Sequence, residues 1–268
     1  MSRRPFLVAA GALLLPALTA AQRTPGAGGP LRVGVDRALV DSGLAPGLRR
    51  AFNADTGIPV KLVAGPALSV LEAVTNGEVD AALLNTPDAE TRIAEQSLVH
   101  DRRPIARGEF ILVGPDQGGP RGRTRPGHSG VDALPRIRDL AASSPQAALF
   151  LSAGDGSGVH VAEQALWRAA RIEPLAPWYQ TADPARGFIA QARERRAWAL
   201  VERGAWAAHG GAPLAVIVEG DPALAESVHA MRSFRVSHPA GRIFMDWIGG
   251  RRGRAVVAAR PGYRAPSA

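Results

Sequence analysis

The sequence predicts an α/β chain folded as two lobes, and three observations carry that prediction. A length of 268 residues is too great for one small domain and suits two compact lobes of ordinary size. Its 46% hydrophobic and 21% charged residues are typical of a water-soluble globular chain with ample core. Short apolar runs alternate with stretches of helical spacing, the pattern of a parallel sheet covered by helices.

The elements follow in order. Ser2-Arg3-Arg4-Pro5-Phe6-Leu7 and the apolar run Val8 to Ala20 read as a cleavable export signal spanning residues 1–21, with a twin-arginine address. The run is too short to span a membrane and is broken by Pro16, so stable membrane insertion is not expected. Residues 22–30 are a Gly- and Pro-rich leader. Leu31 to Val35 is a buried strand, Ser42 to Asp55 a helix, Val60 to Val63 a strand, and Ala67 to Thr75 a helix stopped by Asn76-Gly77. Val79 to Leu84 is a third buried strand, and Asp88 to Gln96 a helix.

The strand Glu109 to Val113 ends in Gly114-Pro115, where the crossover between lobes is placed. Lobe 1 is assigned residues 31–112, lobe 2 residues 113–212, and the return to lobe 1 residues 213–268. Asp116 to Gly130 has no apolar period and reads as a surface loop. A helix at Ala133 to Ala142 and a strand at Ala148 to Ser152 follow, then Ala153-Gly154-Asp155-Gly156-Ser157-Gly158 and a helix from about Val159 to Ala170. Further on come a helix at Ala185 to Arg195 and strands at Ala197 to Val201, Leu214 to Val218 and His229 to Val236. A helix at Gly241 to Ile248 closes the series.

Composition excludes several functions. With no cysteine there is no disulfide and no lipid attachment point. The formal charge of +8 is almost all arginine, Lys61 being the only lysine. A basic chain attracts polyanions, but export and the absence of zinc-finger, bZIP or RNP-like patterns argue against nucleic acid. The six histidines show no metal-ligand spacing, so no metal or cofactor is expected; His160 is best read as a local cap. The five tryptophans read as core.

The glycine turn is the chemically suggestive motif. A strand, a glycine-rich turn and a helix start bring unpaired N–H groups and the helix dipole to one place, which suits an anion. It is not a dinucleotide fingerprint, because Val159 stands where the third glycine is needed. Nor is Ser157 a nucleophile elbow, with Asp155 two residues before it. No acid, base and nucleophile constellation supports an enzyme.

Several ordered blocks carry a resemblance. Asp41-Ser42-Gly43-Leu44, Arg102-Arg103-Pro104 through Phe110-Ile111-Leu112-Val113-Gly114-Pro115, Gly154-Asp155-Gly156-Ser157-Gly158, Leu166-Trp167, Trp178-Tyr179 and Val218-Glu219-Gly220-Asp221-Pro222-Ala223-Leu224 resemble the periplasmic tungstate-binding proteins of ABC transporters. The resemblance implies a type II periplasmic-binding-protein fold, two α/β lobes joined by a two-stranded hinge. It further implies a monomeric periplasmic receptor that closes on tungstate or molybdate and delivers it to an ABC permease.

The ligand positions depart from that pattern. The Thr- and Ser-rich run before Asp-Ser-Gly-Leu is replaced by Val35-Asp36-Arg37-Ala38-Leu39, and Ala153 and Val159 stand for the family's Arg and Thr. Charge-assisted hydrogen bonds contribute about 1.5–3 kcal/mol each, so losing three donors removes roughly 5–9 kcal/mol of dianion binding. Asp36 adds repulsion. Arg37 and Arg107 could compensate by gripping an altered small anion, or Asp36 could pair with Arg37 and neither meet a ligand. The expected ligand-binding set is Asp36, Arg37, Ser42, Ser69, Arg107, Ser157, Gly158 and Val159, with helix starts at Ser42 and after Gly158 facing each other across an open gap. The competing expectation is a degenerate receptor acting as a periplasmic sensor or interaction module.

Overall fold

The computed structural model describes residues 29–116, 127–143 and 148–266. The expected signal peptide, most of the leader and much of the loop after Asp116 lie outside these residues.

Lobe 1 is built from β1 (Leu31–Asp36), β2 (Val60–Gly65) and β3 (Ala81–Leu84), with α1 (Arg37–Asp41), α2 (Leu44–Thr56), α3 (Ala67–Asn76) and α4 (Pro87–Glu95) between and after them. β1 lies between β2 and β3 and is parallel to both, as the βαβ alternation requires. One face of this sheet buries Leu44, Leu48 and Phe52 of α2, and the other buries Val70 and Val74 of α3. α3 approaches β1 so closely that a Cβ on Gly34 would lie 2.7 Å from Val70 Cγ1.

β4 (Val99–Pro115) is one continuous strand of 17 residues where the sequence suggested only Glu109 to Val113. The Arg102-Arg103-Pro104 run hides the period, and the register shifts on either side of Arg103 and Pro104 absorb it. The first part of β4 pairs antiparallel with β9 (Ala225–Ser233), which itself pairs with β3. Its last part pairs with β7 (Ala199–Glu202) and β8 (Leu214–Val218) of the other lobe. β4 and β9 are therefore the two strands that join the lobes, and the strand order β2-β1-β3-β9-β4-β7, with β8 also on β4, carries one curled sheet across both. The fold is the expected type II arrangement.

Lobe 2 adds α5 (Gly130–Ser143), the parallel pair β5 (Phe150–Ser152) and β6 (Tyr179–Thr181), α6 (Gly158–Ala170), α7 (Phe188–Glu194) and α8 (Arg203–His209). Its centre is aromatic: Trp167 is packed edge-on to Phe150 and Trp178. A short 3-10 turn (Pro222–Leu224) leads into β9, and α9 (Pro239–Gly249) and α10 (Arg251–Ala258) close lobe 1. α1, α8, α10 and β6 were not anticipated, and the return strand begins at Ala225 rather than His229.

Candidate functional site

The lobes meet where β1 and β5 end. Asp36, the last residue of β1, is fully buried and caps α1, its Oδ1 accepting from the Ala38 amide at 2.9 Å. Its other oxygen crosses to lobe 2 and accepts from the Gly158 amide, at the start of α6, at 3.1 Å. The Ala67 amide at the start of α3 adds a weaker third interaction. Three helix starts from two lobes thus direct N–H groups at one carboxylate, an arrangement that favours negative charge. The α6 turn is ordered locally: Ser157 caps the helix through its hydroxyl, its own amide donates to Asp155 Oδ1, and the Gly156 amide donates to His160 Nδ1 at 3.0 Å. His160 has the local role expected of it.

Other contacts draw the lobes together. The Leu68 amide of α3 donates to the Gly156 carbonyl at 3.1 Å. Gly158 passes so close to Asn85, just after β3, that a Cβ there would be 2.0 Å from Asn85 Oδ1. Only glycine fits.

Behind this contact lies a buried acidic group. Glu202 ends β7 and caps α8, accepting from the Gly204 and Ala205 amides at 2.8 and 3.1 Å. Glu226, on β9, accepts from Asn85 Nδ2 at 2.7 Å. Tyr263 meets Ser42, hydroxyl to hydroxyl, at 2.8 Å. Burial pushes the Asp36 carboxyl up to about 6, against the opposing pull of the Gly158 and Ala38 amides. Burial also pushes Glu202 up to about 7. Glu226 is raised well above its ordinary value, first by burial and then by the neighbouring Glu202. Such carboxyls hold their protons to higher pH than free ones, and once ionised they oppose a second anion beside them.

Beside the Asp36 contact a cleft of about 360 Å³ opens between α1 and lobe 2. Val159, Phe188, Ile189 and Val201 give it apolar walls, and Arg37, Arg193 and His209 face Asp41, Asp155 and Glu202 around them. The guanidinium of Arg193 is engaged with the Ala212 carbonyl. Arg37 is exposed and makes no side-chain hydrogen bond among the described residues, although its charge is felt by Asp41.

A family model described as a PBP superfamily domain matches residues 20–233. The chain belongs to the PBP superfamily. Within the PBP superfamily it is similar to the tungstate-binding protein TupA of Peptoclostridium acidaminophilum, 30% identical over 78% of this chain and 73% of that protein. Among solved structures it is similar to the tungstate ABC transporter protein of Geobacter sulfurreducens, 25% identical with a TM-score of 0.66, covering 85% of this chain and 97% of that one. TupA from Desulfovibrio alaskensis shares the fold, with 24% identity and a TM-score of 0.65 over 90% of this chain and all of that one. The two TupA proteins are tungstate-binding proteins by name.

Against this PBP frame the expected site residues divide. Asp36, Ser157, Gly158 and Val159 are brought together at the lobe boundary, and Arg37 lines the adjoining cleft. Ser42 is not a facing helix start: Gly43, at φ 77°, separates α1 from α2, so Ser42 ends α1 and turns to Tyr263. The start that meets α6 is that of α1. Ser69 is exposed on α3, where the Ala67 amide takes the inward position. Arg107 is exposed on β4, its backbone bridged to Arg264. Asp36 does not pair with Arg37; it takes the amides instead. The gap expected to be open is taken, at that point, by the Asp36 carboxylate. Asn85, Glu202, Glu226 and Tyr263 were missed. The one available signal was a repeated pattern, Val35-Asp36-Arg37 and Val201-Glu202-Arg203, each an acidic residue ending a strand and starting a helix.

Proposed function

We propose that this chain is the solute-binding receptor of an ABC importer, exported to the periplasm, that delivers a small anion to a permease and performs no catalysis. The relatives' binding role and the two-lobed hinge support the receptor part. The chemistry of the cleft supports an altered ligand in place of tungstate or molybdate. A free oxyanion would have to displace Asp36 and face Glu202 and Glu226, whereas the adjoining cleft has the size of a small-molecule site. Its apolar walls and mixed charges suit an organic acid, singly charged or zwitterionic, with its anionic end on Arg37 and its body against Val159 and Phe188. The carrying observation is Arg37 itself, an exposed guanidinium with no side-chain hydrogen bond among the described residues, lining a cleft with apolar walls.

Thermal-shift screening of small carboxylates and phosphate esters, followed by calorimetry on hits, tests this reading. Arg37→Ala is expected to weaken a hit by about 10- to 100-fold, the equivalent of one charge-assisted bond. Affinity unchanged by Arg37→Ala would contradict the assignment.

The Asp36 to Gly158 bond favours a second reading, a sensor or interaction module whose lobes are held together without a solute. Solution scattering that no screened compound alters, together with an empty thermal-shift screen, would favour it over transport.

A further inference from the structure

The Asp36 side chain does more than a helix cap requires. Capping α1 uses Oδ1 alone, which takes the Ala38 amide. The Oδ2 atom reaches across the lobe boundary to the first amide of α6, a helix of 13 residues, and the carboxyl also feels the first amide of α3, a helix of 10. The receiving turn is fixed in place around it. Leu68 of α3 donates to the Gly156 carbonyl, and Gly158 is held against Asn85 with no room for a Cβ. Amides from both lobes that converge on one buried negative group form an anion cradle by their own chemistry, whatever anion occupies it.

We infer that Asp36 is the specificity-determining residue of the cleft: its tethered carboxylate occupies the anion cradle between the lobes and thereby excludes free oxyanions. A tethered group has a large advantage over a free one, because its loss of translational freedom is already met by the chain. A free sulfate, molybdate or tungstate ion must therefore displace a neighbour that never diffuses away. It must also do so beside the buried Glu202 and Glu226, which offer it no positive charge. This inference rests on the reading of the cleft as the ligand site, and it assigns the residue that decides what the cleft refuses.

Two substitutions separate this role from simple capping. Asp36→Ser keeps a good N-cap for Ala38 but is too short to reach Gly158, while Asp36→Ala removes both. Circular dichroism and a cooperative melt establish that each variant is folded, and calorimetric titrations with sulfate, molybdate and tungstate at pH 8, where Asp36 is ionised and the oxyanions are monomeric, follow. Wild type is expected to give no measurable binding of the three. Both variants should gain affinity for at least one, by on the order of a hundredfold, and Asp36→Asn, which still fills the space, should not. Folded Ser and Ala variants as indifferent as wild type would overturn the inference, as would submicromolar binding of any of the three by wild type. Should neither variant fold, scattering from wild type decides: a profile unaltered by millimolar tungstate supports the tethered anion, and a tungstate-driven contraction overturns it. If Arg37→Ala has no effect on organic acids, the assignment of the organic ligand fails, whereas the oxyanion titrations of the Asp36 variants report on the cradle itself, so the two failures are distinguishable.

Discussion

Gly158 lies at the closest approach of the two lobes, and a methyl group there would sit 2.0 Å from Asn85 Oδ1. Asn85 is buried and its amide group is committed to Glu226, so it cannot swing aside without losing that bond. Gly158→Ala is therefore expected to cost about 1–3 kcal/mol through overpacking, measured by denaturant titration. Unchanged stability would show that the lobe contact yields freely. The glycine was legible as part of a strand, turn and helix start, because backbone geometry leaves a local pattern. Its partner Asn85 was not, since nothing in Leu84-Asn85-Thr86 announces which distant turn it will meet. The same holds for Glu226 and Tyr263, which reach the site only through the return strand and the chain that follows it.

At the scale of elements, two strands end in a carboxylate that starts the next helix, β1 with Asp36 and β7 with Glu202. Both are buried, so folding raises both above their ordinary values, Asp36 from 3.8 to about 6 and Glu202 from 4.5 to about 7. A carboxyl raised on folding favours the native state most where it is protonated in both states, below about pH 4. That contribution is lost progressively as pH rises from about 4 and is gone above the folded values of about 6 and 7. Asp36 alone accounts for on the order of 3 kcal/mol. Asp80 and Asp101, lowered through their bonds to Arg32 and Arg232, and His160, lowered by burial, act the other way as pH falls. Stability is thus expected to peak near pH 4 and to decline toward pH 7, as followed by urea unfolding; a rise between those values would contradict the buried acidic group. Most elements could be read in the sequence, because burial periods are local. The continuity of β4 could not, since charge and Pro104 interrupt its period while cross-strand pairing with β9 restores it.

For the whole molecule, the lobes are joined by two long strands and meet again at the α6 start, and the inferred role of the Asp36 to Gly158 bond there is to decide whether the cleft accepts a free ion. The two-lobed architecture was legible from length and alternation, and the family from ordered blocks spread along the chain. The content of the cleft was legible only as a loss of hydroxyl donors. That loss, with Asp36 beside it, pointed to repulsion, whereas the carboxylate accepts from the Gly158 amide, because a β1 terminus and an α6 terminus come within hydrogen-bond reach only in the folded chain. Calorimetric titration of the wild-type chain with tungstate tests this most directly. The account predicts no saturable heat; a stoichiometric, nanomolar isotherm would contradict it.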